Sequence, residues 1–500
     1  MTTMIAKMKR VASGFLPVIT LDRRISQPLH RQIYNSFRAA IVDGRLRPGQ
    51  RIPSSRVLAT EIGVSRFPVL NAYAQLLAEG YLESRVGAGT LISGSLPEQL
   101  RSTVPATAKH PAIQSGPRPV ARRCSRLPRK EDFPWMIHRG PFRVGQVAVD
   151  QFPRHIWSAL VARRCRSLNL ESAHYGDLMG HASLRRAVAN YLQISRSVRC
   201  DPSQILIVNG SQEALEITVR VLLNLGDRVW IEDPNYRLAR DVFAVNGCNL
   251  IPVPVDEEGM DVASAIKKCP KARAAFVTPS HQFPLGVTLS ASRRLQLVEW
   301  AQKSGAWIIE DDYDSEYRYE SLPIASLQGL DTKSRVIYIG TFSKVLFPSL
   351  RLGYVVLPVD LIDRFVTMRR VIDLGVATFH QEVLADFIEE GHFARHIRRM
   401  RVHYGGLRRV LFDALRNHLD DMVQVVGDEA GMHLTAFLRN GHRDETLARR
   451  AVLHNLSLWP LSRLYMGEAR QGFILGFGGT TEKEILPAVR KVRTLLTSSE

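Results

Sequence analysis

Cysteine is scarce in this 500-residue chain, with five residues at 124, 165, 200, 248 and 269 and no CxxC pair. That scatter argues against a disulfide framework or a cysteine-bound zinc site, and for reduced thiols in a cytoplasm. Long apolar runs are missing as well. Nothing approaches the roughly 18 to 20 residues that a membrane helix needs, so no membrane span is expected. The opening MTTMIAKMKR has no apolar core of the kind a secretory signal requires. Acid is in deficit: 67 Lys and Arg face 48 Asp and Glu, a net charge of +19 and a pI near 10.0. A positive field of that size favours a polyanionic partner, nucleic acid above all. Hydrophobic residues make up 45% and charged residues 23%, a globular composition. The length exceeds one ordinary core, so two or more domains are expected.

The lack of acid is sharpest between Arg101 and Lys130, which hold eight Lys or Arg, five prolines and no Asp or Glu. Such a stretch cannot bury enough apolar surface to fold alone and reads as an extended basic linker over 95–130. It separates a compact zone, 26–94, from a long one, 131–500.

In the first zone Leu29, Ile33, Phe37 and Ile41 recur at helical spacing. Ser54 or Ser55 can cap a short second helix running to about Ile62. Gly63 and Val64 form a turn, and Ser65 caps a third helix through Leu77, whose Val69, Leu70, Tyr73, Leu76 and Leu77 are expected to face inward. Two helices joined by a glycine-containing turn make a helix-turn-helix, whose second helix enters the major groove. The following GYLESRVGAGTLIS reads as a hairpin, a wing. The stretches RIPSSRVLATEIGVSR, AYAQLLAEGYL and GAGT resemble the winged-helix reading heads of GntR-type regulators. The resemblance implies contacts to double-stranded promoter DNA from Ser55, Arg56, Ser65, Arg66 and the wing residues Arg85, Gly87 and Gly89. The chemistry agrees: hydroxyls and helix-end amides suit phosphate, and arginine reaches phosphate or a guanine edge. Pro68 stands where that pattern commonly has a hydroxyl residue.

In the second zone short apolar strands alternate with helical stretches, which predicts a parallel sheet covered by helices. The large sheet domain is expected over about 170–370 and a small subdomain over about 375–500. Lys344 follows an apolar strand, Val336 to Ile339, and Asp311 lies where another strand ends. In open α/β sheets, ligands bind outside the carboxyl ends of the strands, so both groups point to one cleft. The strand ILIV runs into Asn209, Gly210, Ser211 and Gln212 and then a helix, which offers free amides and a helix dipole to a phosphate. Arg351 can add a bidentate partner, and Thr341 and Ser343 add hydroxyls. A lysine, a carboxylate and a phosphate cradle together suit pyridoxal 5'-phosphate.

The texts YGDLMGHASLRRAVANYL, NGSQEAL, EDPNY, PSHQFPLG, EDDYDSEY and TFSKVLFPSLRLGY resemble fold-type I aminotransferases. The resemblance implies Lys344 as the lysine that bonds the cofactor's aldehyde and Asp311 as the partner of its ring nitrogen. It implies Tyr313 on the ring hydroxyl, with His281 also in the cofactor-binding set. Tyr236 would stack on the ring, and Gly210, Ser211, Gln212, Thr341, Ser343 and Arg351 would hold the phosphate. Tyr175 would reach the phosphate of a neighbouring subunit in a homodimer. Two departures stand out. Phe283 precedes Pro284 where such enzymes usually have asparagine, and Ile474 lies near the usual position of the arginine that binds a substrate carboxylate, with Arg470 close by. Reading head, linker and aminotransferase-like domain in one chain resemble the MocR (PdxR/GabR-like) subfamily of GntR-type transcriptional regulators. That implies a regulator sensing pyridoxal phosphate or an amino compound, with an active aminotransferase carrying a DNA-binding head as the alternative.

Overall fold

The computed structural model describes residues 19, 21–23, 25–85, 89–94, 119–125, 138, 140–168, 174–319, 324–427, 429–439 and 441–498. Two compact units emerge, 1–119 and 120–500. Most of the expected linker, and Gly87 in the wing, lie outside the described residues.

The first unit is built from α1 (Leu29–Val42), α2 (Ser55–Glu61) and α3 (Arg66–Ala78), followed by an antiparallel hairpin of β1 (Leu82–Arg85) and β2 (Gly89–Ile92). Ile33, Phe37, Ile41, Val69, Tyr73 and Leu76 are buried against one another, and Phe37 meets Tyr73 edge to face at 5.5 Å. Ser54 caps α2, accepting from the Val57 amide at 3.4 Å. Gly63 takes φ +68°, the left-handed conformation that lets the chain turn between α2 and α3. Two sequence expectations fail here. Leu70 and Leu77 face outward, 41% and 37% exposed. Ala72 takes the inward place beside Tyr73 instead, because the 3.6-residue period aligns positions 69, 72, 73 and 76. Ser65 occupies the N-cap of α3, but its side chain accepts no capping hydrogen bond.

The second unit holds an eight-stranded sheet in the order β3 (Ile205–Val208), β10 (Gly353–Val356), β9 (Val336–Thr341), β8 (Trp307–Asp312), β7 (Ala274–Val277), β4 (Arg228–Asp233), β5 (Asn249–Asp256) and β6 (Gly259–Met260). Strands β9, β8, β7, β4 and β5 run parallel, while β10 is antiparallel to both its neighbours. The apolar runs of β9, β8, β7 and β4 suit strands buried on both faces, whereas β5 is mostly half-buried. A second, antiparallel sheet orders β11 (Val423–Val426), β12 (His433–Leu438), β14 (Gly472–Gly476) and β13 (Trp459–Pro460). Strand β8 continues past Ile309 to Asp312, so Asp311 sits within its last two residues rather than after it.

Register brings the site together. Gly353 of β10 pairs with Thr341 of β9 on one side and with Val208 of β3 on the other. Asp311 pairs with Ile339. The carboxyl ends of β3, β8 and β9 therefore share one edge with the start of β10. A Cβ at Gly353 would come within 3.0 Å of the Gly210 Cα, so only glycine allows β10 to lie this close to the β3 turn.

Candidate functional site

Lys344 lies in the turn three residues beyond β9. Its ammonium donates to the Gly145 carbonyl at 3.4 Å. Burial pushes its pKa down, while Asp314 and Asp311 oppose that shift. Burial thus favours the neutral amine, the form with a lone pair to offer a carbonyl carbon.

Asp311 is the complementary feature. Its Oδ1 is buried and has no hydrogen-bond partner. Burial, then the nearby Asp312, Asp314 and Glu232 carboxylates, raise its pKa to about 7. A buried carboxylate oxygen without a donor is costly to leave unpaired. A protonated ring nitrogen is the kind of donor that satisfies it.

The residues expected to cradle a phosphate begin at the β3 turn. Gly210, φ +96°, is the N-cap of the helix Ser211–Leu222, which puts Ser211 and Gln212 in its first turn. A side chain at Gly210 would meet the Arg351 guanidinium at 3.4 Å, so backbone and guanidinium border the same space. Arg351 is exposed and held at φ +52°. The Thr341 hydroxyl lies 3.1 Å from Ser343 Oγ and accepts from the Ser343 amide at 3.2 Å. Arginine, two hydroxyls and a helix N-terminus, carried on three separate segments, are groups whose chemistry suits an anion. The ring of Tyr236 is sensitive to both ends of the cleft. Burial raises its pKa to about 12, with Asp311 adding to the rise and Arg351 opposing it.

His281 lies beside Tyr313. It is buried, and its Nδ1 lies 3.1 Å from both Asp314 oxygens and 2.9 Å from the Tyr313 hydroxyl. Its other edge is wedged against Gly286 and Gly431, where a Cβ would collide with the ring. His281 is therefore placed to orient Tyr313. His433 joins this cluster: its Nε2 bonds the Pro284 carbonyl at 3.0 Å, and burial lowers its pKa to about 3. Donor atoms of His281, Asp314 and His433 lie within 4.8 Å of one another, the one grouping among the described residues with metal-ligand spacing. The His281 Nδ1 and the His433 Nε2 already have protein partners.

Sequence reasoning missed the support of this edge. Arg196 donates to Asp312 at 2.8 Å, to the Ile324 carbonyl at 2.7 Å and to the Ser280 hydroxyl, and is 3% exposed. It ties the helix Ala182–Arg196 to the segments bearing Asp311 and His281. No local pattern marks it, because an arginine in a last helical turn looks like an ordinary dipole partner.

The wall beyond Tyr236 and Tyr313 is apolar. Ile474 is fully buried and clusters with Phe283, Leu285, Phe437, Leu461 and Leu464, and both tyrosines pack on that cluster. Arg470 is exposed, its guanidinium 3.4 Å from the Phe437 ring centre. Tyr175 is 88% exposed.

On the reading head Ser55, Arg56, Ser65, Arg66 and Arg85 are on the surface. Arg66 donates to Ser55 Oγ at 3.1 Å, joining the starts of α2 and α3. Arg85 pairs with Glu83 at 2.9 Å in the wing. Gly89, φ +85°, lets the Arg51 guanidinium approach to about where a Cβ would stand, 3.1 Å away. Among the described residues no helix is long and apolar enough to cross a membrane.

Comparison with known proteins agrees with both halves. Residues 29–92 match the bacterial regulatory proteins of the gntR family, and residues 143–460 match aminotransferase class I and II. The chain is 38% identical to the probable rhizopine catabolism regulatory protein MocR of Rhizobium meliloti, covering 97% of each. It is 31% identical to the HTH-type pyridoxine biosynthesis transcriptional regulator PdxR of Corynebacterium glutamicum, over 93% of this chain and 95% of that one. Among solved structures, Pyrococcus horikoshii kynurenine aminotransferase, in complex with PMP, matches with a TM-score of 0.71 at 26% identity, over 75% of this chain and 96% of that one. With a GntR-type winged head and a fold-type I aminotransferase domain in one polypeptide, the chain belongs to the MocR-type transcriptional regulators of the GntR family.

Proposed function

We propose that the aminotransferase-like unit binds pyridoxal 5'-phosphate, senses it or an amino compound that reacts with it, and thereby controls promoter binding by the reading heads of a homodimer. The observation that carries this is the buried, partnerless Oδ1 of Asp311, near enough to Lys344 to feel its charge, with Tyr236 near both Asp311 and the Arg351 that borders Gly210. When bound, pyridoxal phosphate supplies an electrophilic carbonyl carbon and an electron-withdrawing ring. Lys344 would hold that carbon, and Asp311 would keep the proton on the ring nitrogen. Tyr313, oriented by His281 and Asp314, would donate to the ring hydroxyl. Tyr236 would cover one ring face. Gly210, Ser211, Gln212, Thr341, Ser343 and Arg351 would anchor the phosphate, with the exposed Tyr175 reaching that of a partner subunit.

The competing reading is a working aminotransferase. The lysine and aspartate favour it. The Phe283–Ile474 wall weighs against it, because a buried apolar surface offers no cation to a substrate carboxylate. For a sensor, effector and DNA must be linked: the effector has to bind the DNA-competent and DNA-free states with different affinity.

The test is the visible absorption spectrum of the full-length protein with pyridoxal phosphate, alone and with a panel of amino acids and amines. A lysine-bound band that Lys344→Ala abolishes, and that one compound shifts without keto-acid turnover while DNA affinity changes, supports the sensor. Steady keto-acid conversion makes the protein an enzyme. No band with added cofactor overturns both readings.

A further inference from the structure

The face that α3 turns outward is unusual for a surface that meets only water and phosphate. Phe67 stands in the first turn of α3 and is 70% exposed. Every other described phenylalanine is buried or half-buried. Leu70, three residues on, is 41% exposed, and residues three apart share a helix face. Asn71 and Ala74 extend that face and are also exposed. Arg66 and Arg56 flank it with positive charge. Core packing does not explain the ring, because the inward positions of α3 are already filled by Val69, Ala72, Tyr73 and Leu76.

In a helix-turn-helix, the first residues of the second helix are the ones that reach base edges. The major groove presents one apolar group, the C5 methyl of thymine, and phenylalanine is among the side chains that contact it. Pro68, next in sequence, has neither a backbone N–H nor a hydroxyl. The start of this helix therefore offers a cation at Arg66 and an apolar ring at Phe67, with flanking arginines to hold the phosphates on either side.

We propose that Phe67, flanked by Leu70, reads a thymine methyl group in each half-site, which makes it a specificity-determining residue of the reading head. The proposal rests on DNA binding by that head and adds the base atom that one side chain recognises.

The experiment uses the full-length protein and a duplex selected by it from a random-sequence pool. Each thymine is then replaced in turn by deoxyuridine, which keeps every hydrogen-bonding group and deletes only the methyl. One thymine per half-site is expected to be sensitive, its replacement weakening binding about three- to tenfold, as for one buried methyl-sized group. Phe67→Ala is expected to lose the same factor on the thymine duplex and to be indifferent to deoxyuridine there. Arg66→Ala, by contrast, should weaken both duplexes alike. The proposal is overturned if Phe67→Ala keeps the full methyl sensitivity, or if it weakens all duplexes equally, random-sequence DNA included. Normal binding of every duplex by Phe67→Ala would also overturn it and assign the ring to a protein contact. If the wild-type protein selects no sequence at all, promoter binding by the head falls as well. If it selects one without a methyl-sensitive thymine, this proposal alone falls.

Discussion

Replacing Asp311 with asparagine keeps the shape of the side chain and removes its charge. In the cofactor-free protein this carboxyl has its pKa raised from 3.8 to about 7 by burial and neighbouring carboxylates. A rise of that size disfavours the ionised form by up to about 4 kcal/mol when no cation is present. A protonated ring nitrogen against Oδ1 recovers part of this through a charge-assisted hydrogen bond of about 1.5–3 kcal/mol. Asp311→Asn is therefore expected to weaken pyridoxal phosphate binding on the order of 10- to 100-fold. The sign with pH follows. The wild-type carboxylate forms as pH rises through about 7, so wild-type affinity should rise across that range, while the variant should lack this rise. Stability of the cofactor-free protein runs the other way. Between about pH 4 and pH 7 the folded state holds a proton that the unfolded state has lost, so this group's contribution falls as pH rises. The variant should flatten that slope and be the more stable protein above about pH 7. Fluorescence titration with cofactor at several pH values, and thermal unfolding without it, measure both. Equal affinity and equal pH dependence in the two proteins would refute the assignment of Asp311.

Arg351→Gln should weaken pyridoxal phosphate binding by roughly 10-fold or more, the loss expected for a charged hydrogen-bond partner, yet leave pyridoxal, which has no phosphate, unaffected. Arg196→Met strands the Asp312 carboxylate beside the site and should cost about 3–5 kcal/mol, read as a lower thermal midpoint of the large unit. Ile33→Ala deletes a fully buried side chain of the reading head and should cost about 2–5 kcal/mol there, measured as lost DNA binding and earlier head unfolding with cofactor binding unchanged.

The sequence by itself determined the parts of this protein that depend on local period and composition. The helix-turn-helix was legible because apolar spacing, the Ser54 cap and the Gly63 turn act within a few residues of one another. That Lys344 and Asp311 lie at one edge of the sheet was legible because one follows and the other ends a strand of an alternating α/β pattern, whose strand ends meet there. Tertiary structure decided what depends on contacts between distant segments. Only the insertion of β10 between β3 and β9 brings Arg351 against Gly210, more than a hundred residues away in sequence. Only packing against Gly286 and Gly431 sets His281 against Tyr313. Only the full core of the head shows that Ala72 fills the inward place and leaves Leu70 and Phe67 outside. Sequence period fixes which residues share a face, whereas burial depends on which other surface arrives to cover that face.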